Sequence, residues 1–406
     1  GDSVEEVFRG AGKSTCLGAV ILHACLYGWR RFVLVASWTL EQAVEFVRRA
    51  RDELEHNERI KEDFGPQVGS KWTEKSFTTA HGVTVRAVGV RKGVRGAVSS
   101  YDRPDLLIVD DIENDERVQT IEQRDKLHNR LTTAFFNLGS NVSLRDLWVW
   151  VIGTPLHLDC VLRRLKRDGW DYRQTAATVD GTPDGEPTWP PFSREKIAQR
   201  IRKIGSKAAN QELFMRPMDD GEAAFELEWF RYYTDNRHVD EDWDRYIYID
   251  PAIGEKKQND YFCAWVVAVS PWGTRPEIRV VDVYRDKLSF GRQIQKLFLL
   301  DDIHRPISVG IESNAYQDSL RQQVLEQASR DGVRRPPVIP VHSSRCKELR
   351  IRDSSPAVEF GEVLFAEKHA EYIHIMCEWP GTTHDDVPDA FAGVTKMVRR
   401  QGRLQT

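Results

Sequence analysis

The sequence predicts an α/β protein of two domains, the first built on a mostly parallel sheet and the second on a mixed sheet. Three observations carry this. Short apolar runs alternate with helical stretches through the first half of the chain. A Pro- and Gly-rich stretch, "DGTPDGEPTWPPFS" at residues 180 to 193, then breaks the pattern. Beyond it, three strand-like runs follow one another across short, turn-rich gaps. Length agrees, since 406 residues exceed what one ordinary core organises.

In chain order, "RRFVLVAS" (residues 30 to 37) reads as a buried strand, because an unbroken apolar run suits a strand covered on both faces. "LEQAVEFVRRARDELEHNERIKEDF" reads as one long amphipathic helix. "GVTVRAVGV", "DLLIVDDI" and "LWVWVIGTP" read as further strands. A charged helical stretch runs from the Pro-rich break to about residue 236. "RYIYIDPAIG", "YFCAWVVAVS" and "EIRVVDVYRD" then form an antiparallel meander. The helix "FGRQIQKLFLLDD", the strand "ISVGIES", another helix, the strand "PPVIPVH" and a last helix complete the chain. The expected boundaries are residues 1–190, a helical linker over 191–238, and residues 239–406.

Composition narrows the function. Charged residues make up 30% and hydrophobic residues 40%, and no apolar run is long enough to span a bilayer, so a membrane partner is not expected. Six scattered cysteines, without a CxxC pair, fit a reducing compartment and neither a zinc knuckle nor a disulfide framework. Net charge is −4, so any nucleic-acid contact needs local basic patches. "RRLKRDGWDYR" from Arg163, "REKIAQRIRKIGSK" from Arg194 and the basic end Arg399, Arg400 and Arg403 are candidates, though each equally suits a solvated helix face.

"VFRGAGKST" supplies the strand–loop–helix context of a P-loop. Gly10 and Gly12 let backbone amides close around phosphate, Lys13 reaches the outer phosphates, and Ser14, followed by Thr15, can ligate Mg²⁺. Val7 stands where the first glycine of G-x-x-x-x-G-K-[ST] belongs. "LLIVDDIEND" ends an apolar strand in carboxylates, as a Walker B strand does. Asp110 is expected to hold Mg²⁺, and Asp111 or Glu113 to polarise the attacking water. "VWVIGTP" places Thr154 at another strand end, where its hydroxyl could sense the γ-phosphate. The first domain is therefore expected to be a P-loop ATPase using ATP and Mg²⁺.

In the second domain, Asp250 closes "YIYID" and Glu312 closes "ISVGIE". A lone charge at the end of a buried strand is costly unless paired or metal-bound. Asp385, Asp386 and Asp389 in "HDDVPDAF" open the last helix. That stretch also suits a plain helix start, with Asp386 as N-cap and Pro388 in the first turn. An Asp on the first strand, a Glu ending a later strand and an Asp on the C-terminal helix match the order of an RNase H-like fold. Such a fold gathers these positions at one sheet edge, where they can hold two Mg²⁺ or Mn²⁺ about 4 Å apart for phosphodiester cleavage. Asp250, Glu312 and Asp386 are the expected catalytic carboxylates, with Asp385 and Asp389 as further metal candidates. Asp260 and His384 are auxiliary candidates. Lys347 and Arg350 in "CKELRIR" could meet a DNA backbone or simply be exposed.

An ATPase followed by an RNase H-like nuclease resembles the large terminase subunit of tailed bacteriophages. "FRGAGKST", with Arg9 before the glycines, looks like that family's variant phosphate loop. "GVRKGVRGAVSSYDRPDLLIVDDIEND" and "VIGTP" look like its arginine-glycine segment with Walker B and its coupling motif. "YIYIDPAIGEKKQNDYFCAWVV", "VGIESNAYQ" and "HDDVPDAFAG" look like its three nuclease motifs. The resemblance implies a motor that pumps double-stranded DNA through a portal protein into a procapsid and cuts concatemeric viral DNA. It implies a small terminase subunit as partner, a homo-oligomeric ring on the portal, a monomer in solution, and the host cytoplasm as location. It also implies an arginine finger, for which Arg91 and Arg95 are candidates. Almost no chain precedes the phosphate loop, where the family carries an adenine-contacting segment, so either the chain is a fragment or nucleotide binding is weak. A recombination or repair nuclease fused to an ATPase would share the metal site and lack the portal.

Overall fold

The computed structural model describes residues 2–92, 103–114, 118, 120–139, 146–217, 219, 222–251, 261–271, 276–312, 315–342, 345–381 and 385–400. The chain divides into two compact units. One is Gly1–Arg200 with Lys207–Asp220, and the other is Ile201–Ser206 with Gly221–Thr406. Residues 191–238 thus contribute to both units.

The first unit holds strands β1 (Ser3–Val7), β2 (Phe32–Ser37), β3 (Val68–Trp72), β4 (Ser76–Thr79), β5 (Thr84–Gly89), β6 (Leu106–Asp110), β7 (Trp148–Gly153) and β8 (Asp171–Thr175). Their order is β3-β4-β5-β2-β6-β7-β1-β8. β5 through β8 in that order pair in parallel, and β3 and β4 add antiparallel pairs at one side. Along β2, Leu34 and Ala36 pack into one core and Val33 and Val35 into another, which is why the run carries no polar alternation.

The helix Leu40–His56 starts at Thr39, whose hydroxyl and Gln42 form a capping box. It ends at Asn57, whose side chain accepts from the amides of Arg59 and Ile60 and starts a second helix, Glu58–Phe64. The single long helix expected here is therefore two, because a local side-chain acceptor competes with the helical ladder. β3 and β4, at five and four residues, were not expected from the sequence.

The second unit holds β9 (Arg231–Tyr232), β10 (Asp244–Asp250), β11 (Phe262–Val269), β12 (Ile278–Asp286), β13 (Ser308–Glu312), β14 (Val338–Val341) and β15 (Val363–Phe365). The order is β14-β13-β10-β11-β12-β15-β9. β10, β11 and β12 form the expected antiparallel meander, and β13 returns parallel to β10 with Ile249 opposite Ile311. Tyr246 and Tyr248 face one core, Ile247 and Ile249 the other.

The closing helix, Asp386–Arg400, lies in the first of these cores. Phe391 packs edge-on to Trp265 at 5.0 Å between ring centres, and Trp265 Nε1 donates to the Val387 carbonyl at 3.0 Å. Two glycines permit this approach. A Cβ at Gly393 would lie 2.1 Å from the Tyr248 ring, and one at Gly310 would lie 2.6 Å from the Met397 sulfur. β15 and the helices Lys347–Glu359 and Ala370–Glu378 were not expected from the sequence. The former helix contains Pro356 after two serines, a combination that reads as a break in sequence yet sits here inside the helix.

Candidate functional site

In the first unit the parallel strands bring several predicted residues to one sheet edge. β7 lies between β1 and β6. Thr154, just beyond β7, therefore stands between the loop that follows β1 and the carboxylates that end β6. Gly10 and Gly12 adopt φ of 97° and 78°, a region open to glycine, and the helix Lys13–Tyr27 starts directly after them. No side chain caps that helix start, so its first amides are left to a ligand or to water. Ser14 and Thr15 are exposed at this start.

Lys13 Nζ lies 2.7 Å from Thr154 Oγ1 and 3.7 Å from Asp111 Oδ2. The Thr154 hydroxyl donates to the Val7 carbonyl at 2.9 Å, and its amide donates to Asp111 Oδ1 at 3.3 Å. Asp111 has φ of 37°, strained for a residue with a side chain. Asp110 is buried, and its Oδ1 has no hydrogen-bond partner among the described residues. Burial, together with the neighbouring Asp111 charge, pushes its carboxyl up to about 7 against the pull of Lys13.

Two predicted residues are turned elsewhere. Glu113 is enclosed, and its Oε1 accepts from the Val161 amide at 2.8 Å, at the start of the helix Val161–Arg167. Burial pushes its carboxyl up to about 7 despite that bond. Its Oε1 thus meets a helix start, while its Oε2 has no hydrogen-bond partner among the described residues. Arg9 pairs with Glu212 at 2.5 Å, which turns its guanidinium along the protein surface. Arg91 is exposed, while Arg95, Asp260, His384 and Arg403 lie outside the described residues. The first basic patch is largely engaged internally: Arg163 pairs with buried Glu6 at 3.1 Å and Arg164 with Asp125 at 2.6 Å.

The second unit gathers carboxylates at the ends of β10 and β13. The parallel register carries Asp250 and Glu312 to adjacent strand ends. Asp389 joins them from the closing helix. Burial, then the Asp389 charge, pushes the Asp250 carboxyl well above its ordinary range. Burial likewise raises Asp389 to about 6, although Lys347 and Arg350 pull it down. Asp385 occupies the helix cap position, its carbonyl accepting the Asp389 amide at 3.0 Å, so Asp386 is the first helical residue and not the cap expected from sequence.

Helical geometry separates the three aspartates. Asp385 and Asp389, four apart, share a face, whereas Asp386 is rotated by about 100° from Asp385. Asp386 receives Nε and Nη2 of Arg285 on β12, the latter at 3.2 Å, with that guanidinium stacked 3.8 Å over the Tyr261 ring.

Two cations stand among the remaining carboxylates. Lys347 Nζ lies 2.7 Å from Asp385 and 3.4 Å from Asp389. Arg350 Nη1 donates to Glu312 at 2.6 Å and Nη2 to Asp389 Oδ2 at 3.0 Å. Asp389 Oδ1, although near Arg350, receives no hydrogen bond among the described residues. Among the described residues, no three acidic, imidazole or thiol groups converge closely enough to enclose a metal ion by themselves. Sequence reasoning left Lys347 and Arg350 unassigned. Their i, i+3 spacing was the available signal, but it gains meaning only once their helix is placed beside β13.

A parallel sheet with a glycine loop at its carboxyl edge, followed by a mixed sheet of RNase H-like order, defines a two-part α/β chain with two separate acidic sites. No protein-family model matches it, and no characterised protein matches it by sequence. Solved structures do match. The large terminase of the thermophilic bacteriophage D6E superposes, in two crystal forms, with TM-scores of 0.52 and 0.53 at 11% identity, covering 98% of this chain and 94% of that one. The same protein in complex with ADP covers 96% and 92%, with a TM-score of 0.50 at 11% identity. The chain has the fold of that large terminase over nearly its whole length. Among the described residues, no helix is long and apolar enough to cross a membrane.

Proposed function

We propose that this chain is the large subunit of a viral DNA-packaging motor, an ATPase that drives double-stranded DNA into a procapsid and a metal-dependent endonuclease that cuts concatemeric DNA. The observation that carries the reading is the presence, in one chain of large-terminase fold, of two strand-edge sites with suitable chemistry. One is built from Lys13, Thr154, Asp110 and Asp111, the other from Asp250, Glu312 and Asp389.

At the first site, the amides after Gly12 and the Lys13 ammonium bind the phosphates of ATP. Ser14 and Asp110 hold its Mg²⁺, the unpartnered Oδ1 of Asp110 fitting that task. Asp111 orients the attacking water, because it faces Lys13 and Thr154 while Glu113 faces a helix end. Thr154 bridges the loop and the carboxylates, which suits sensing of the γ-phosphate. Arg91 and Arg95 remain the candidates for an arginine finger acting on a neighbouring copy.

At the second site, an all-oxygen donor set of Asp250, Glu312 and Asp389, with Asp385 as a fourth candidate, suits Mg²⁺ or Mn²⁺. Divalent metal there supplies an activated water and charge neutralisation at the departing 3′-oxygen. Asp386 supports the helix start through Arg285. The portal protein, the small terminase subunit, a ring on the portal and the host cytoplasm complete the reading.

The test is plasmid digestion by the full chain in Mg²⁺, Mn²⁺ or EDTA, with ATPase measured with and without portal-bearing procapsids. Metal-dependent cutting with procapsid-stimulated ATPase is expected. Cutting with an ATPase indifferent to procapsids would overturn the packaging role.

A further inference from the structure

The cations between the nuclease carboxylates have a use beyond neutralisation. We infer that Lys347 and Arg350 form a resident cation pair that a divalent metal displaces, and that the released pair then binds the phosphodiester backbone of the incoming DNA. This rests on the metal-dependent nuclease reading above.

Geometry favours the exchange. Arg350 spans Glu312 and Asp389 with one guanidinium, and Lys347 spans Asp385 and Asp389 with one ammonium. Their nitrogens lie between the oxygens that a metal would have to touch at about 2.1 Å. Both cannot occupy that space.

Charge makes the exchange balanced. Two single positive charges leave as the first double positive charge enters, so at that stage the carboxylates see no net change. Buried carboxylates tolerate that substitution far better than an unpaired interval.

Topology lets the pair leave. Lys347 and Arg350 sit three apart on one face of the helix Lys347–Glu359, and Lys347 is its first residue, on a flexible four-carbon stem. A third of its side chain is already exposed. Lys347 can swing outward without unfolding the helix, and Arg350, 14% exposed, follows once its carboxylate partners are taken by the metal. Their charges then face the side from which substrate arrives, where phosphate oxygens are the natural acceptors. The arrangement couples the two ligands: DNA gains two backbone contacts only after metal has entered.

The experiment uses the full chain, calorimetric titration with MnCl₂, and fluorescence anisotropy of a DNA duplex in Ca²⁺ or in EDTA. For the parent, Ca²⁺ should raise DNA affinity. Lys347→Met should bind Mn²⁺ more tightly, on the order of tenfold, because a competing unit charge is gone. It should lose most of the Ca²⁺-dependent gain in DNA affinity while keeping its affinity in EDTA. Lys347→Arg should retain both properties, and Arg350→Met should follow Lys347→Met. The partly exposed Lys347 decides the matter if Arg350→Met does not fold. Weaker Mn²⁺ binding by Lys347→Met would overturn the proposal, making the lysine a tether for the aspartates. Tighter Mn²⁺ binding with an undiminished Ca²⁺-dependent gain would also overturn it, since the cation would then never reach DNA. A parent chain that binds no Mn²⁺ would overturn the metal reading itself, and the exchange with it. That failure is recognisable because it precedes any substitution.

Discussion

Gly393→Ala adds one methyl group to the closing helix, and the structure makes its consequence large. The new Cβ would lie 2.1, 2.2 and 2.5 Å from three carbons of the Tyr248 ring. Ordinary contact begins near 3.4 Å, so helix and ring must separate by about 1.3 Å. The ring cannot retreat, because Tyr248 is 2% exposed and lies within a packed core. The helix must move instead, and Asp389 lies one turn before residue 393. Overpacking costs about 1–3 kcal/mol, with a contact this short at the upper end near 3, and the helical preference of Ala over Gly returns only about 1 kcal/mol. A net loss of about 2 kcal/mol corresponds to a fall of about 4–8 °C in the melting temperature of a domain this size. Calorimetric melting and Mn²⁺ titration of the full chain provide the assay, with Gly291→Ala as the control, since a Cβ there meets nothing within 4 Å. The control should hold or gain stability, while Gly393→Ala should lose both stability and metal affinity. A melting temperature equal to or above the parent's would refute the close approach of helix and strand.

Lys13→Ala should abolish ATP hydrolysis and leave DNA cleavage intact, because the charge that stabilises the transferred phosphoryl is lost in one unit only; unchanged turnover would refute the phosphate-loop assignment. Glu113→Gln should keep ATPase activity if Asp111 orients the water. Because the folded Glu113 pKa of about 7 lies above its ordinary 4.5, its protonated form favours folding, so stability falls as pH rises from about 4.5 to 7; Gln should flatten that dependence in melts at pH 5 and 8. Asp389→Asn should weaken Mn²⁺ binding at least tenfold by calorimetry, whereas Asp386→Asn should leave it nearly unchanged and lower stability by about 1–3 kcal/mol through loss of its Arg285 pair. A fragment of residues 221–406 should melt higher than one of residues 239–406, which lacks β9 and the buried Phe225 and Phe230; equal melting would show that these residues add nothing.

Much of the fold was legible because buried strands announce themselves. β2, β6 and β7 are apolar on both faces, and the meander strands are separated by turn residues. The short strands β3, β4 and β15 were not legible, since too few residues are present for periodicity to rise above chance. At the candidate sites, the placement of carboxylates at the ends of long strands was legible by position: Asp110, Asp250 and Glu312 end β6, β10 and β13. Those whose orientation depends on helix phase or on a distant partner were not. Asp386 and Asp389 look alike in "DDVPDAF", and only Arg285 on one side and Arg350 on the other separate them. Asp111 and Glu113 read as equal alternatives, because the tie of Glu113 to the Val161 amide spans 48 positions of sequence.

The parallel register of β10 and β13 sets how the second site should respond to random change. The spacing of Asp250 and Glu312 is held by main-chain ladder bonds, which any residue except proline can make. In a saturation scan, intolerance should therefore fall on single points: the two acids, Asp389, and the glycines that seat the closing helix. The strand residues between them should accept most exchanges of one apolar side chain for another of like volume. A site framed by backbone leaves few letters for selection to guard, so descendants can drift widely in wording while the same oxygens stay in place.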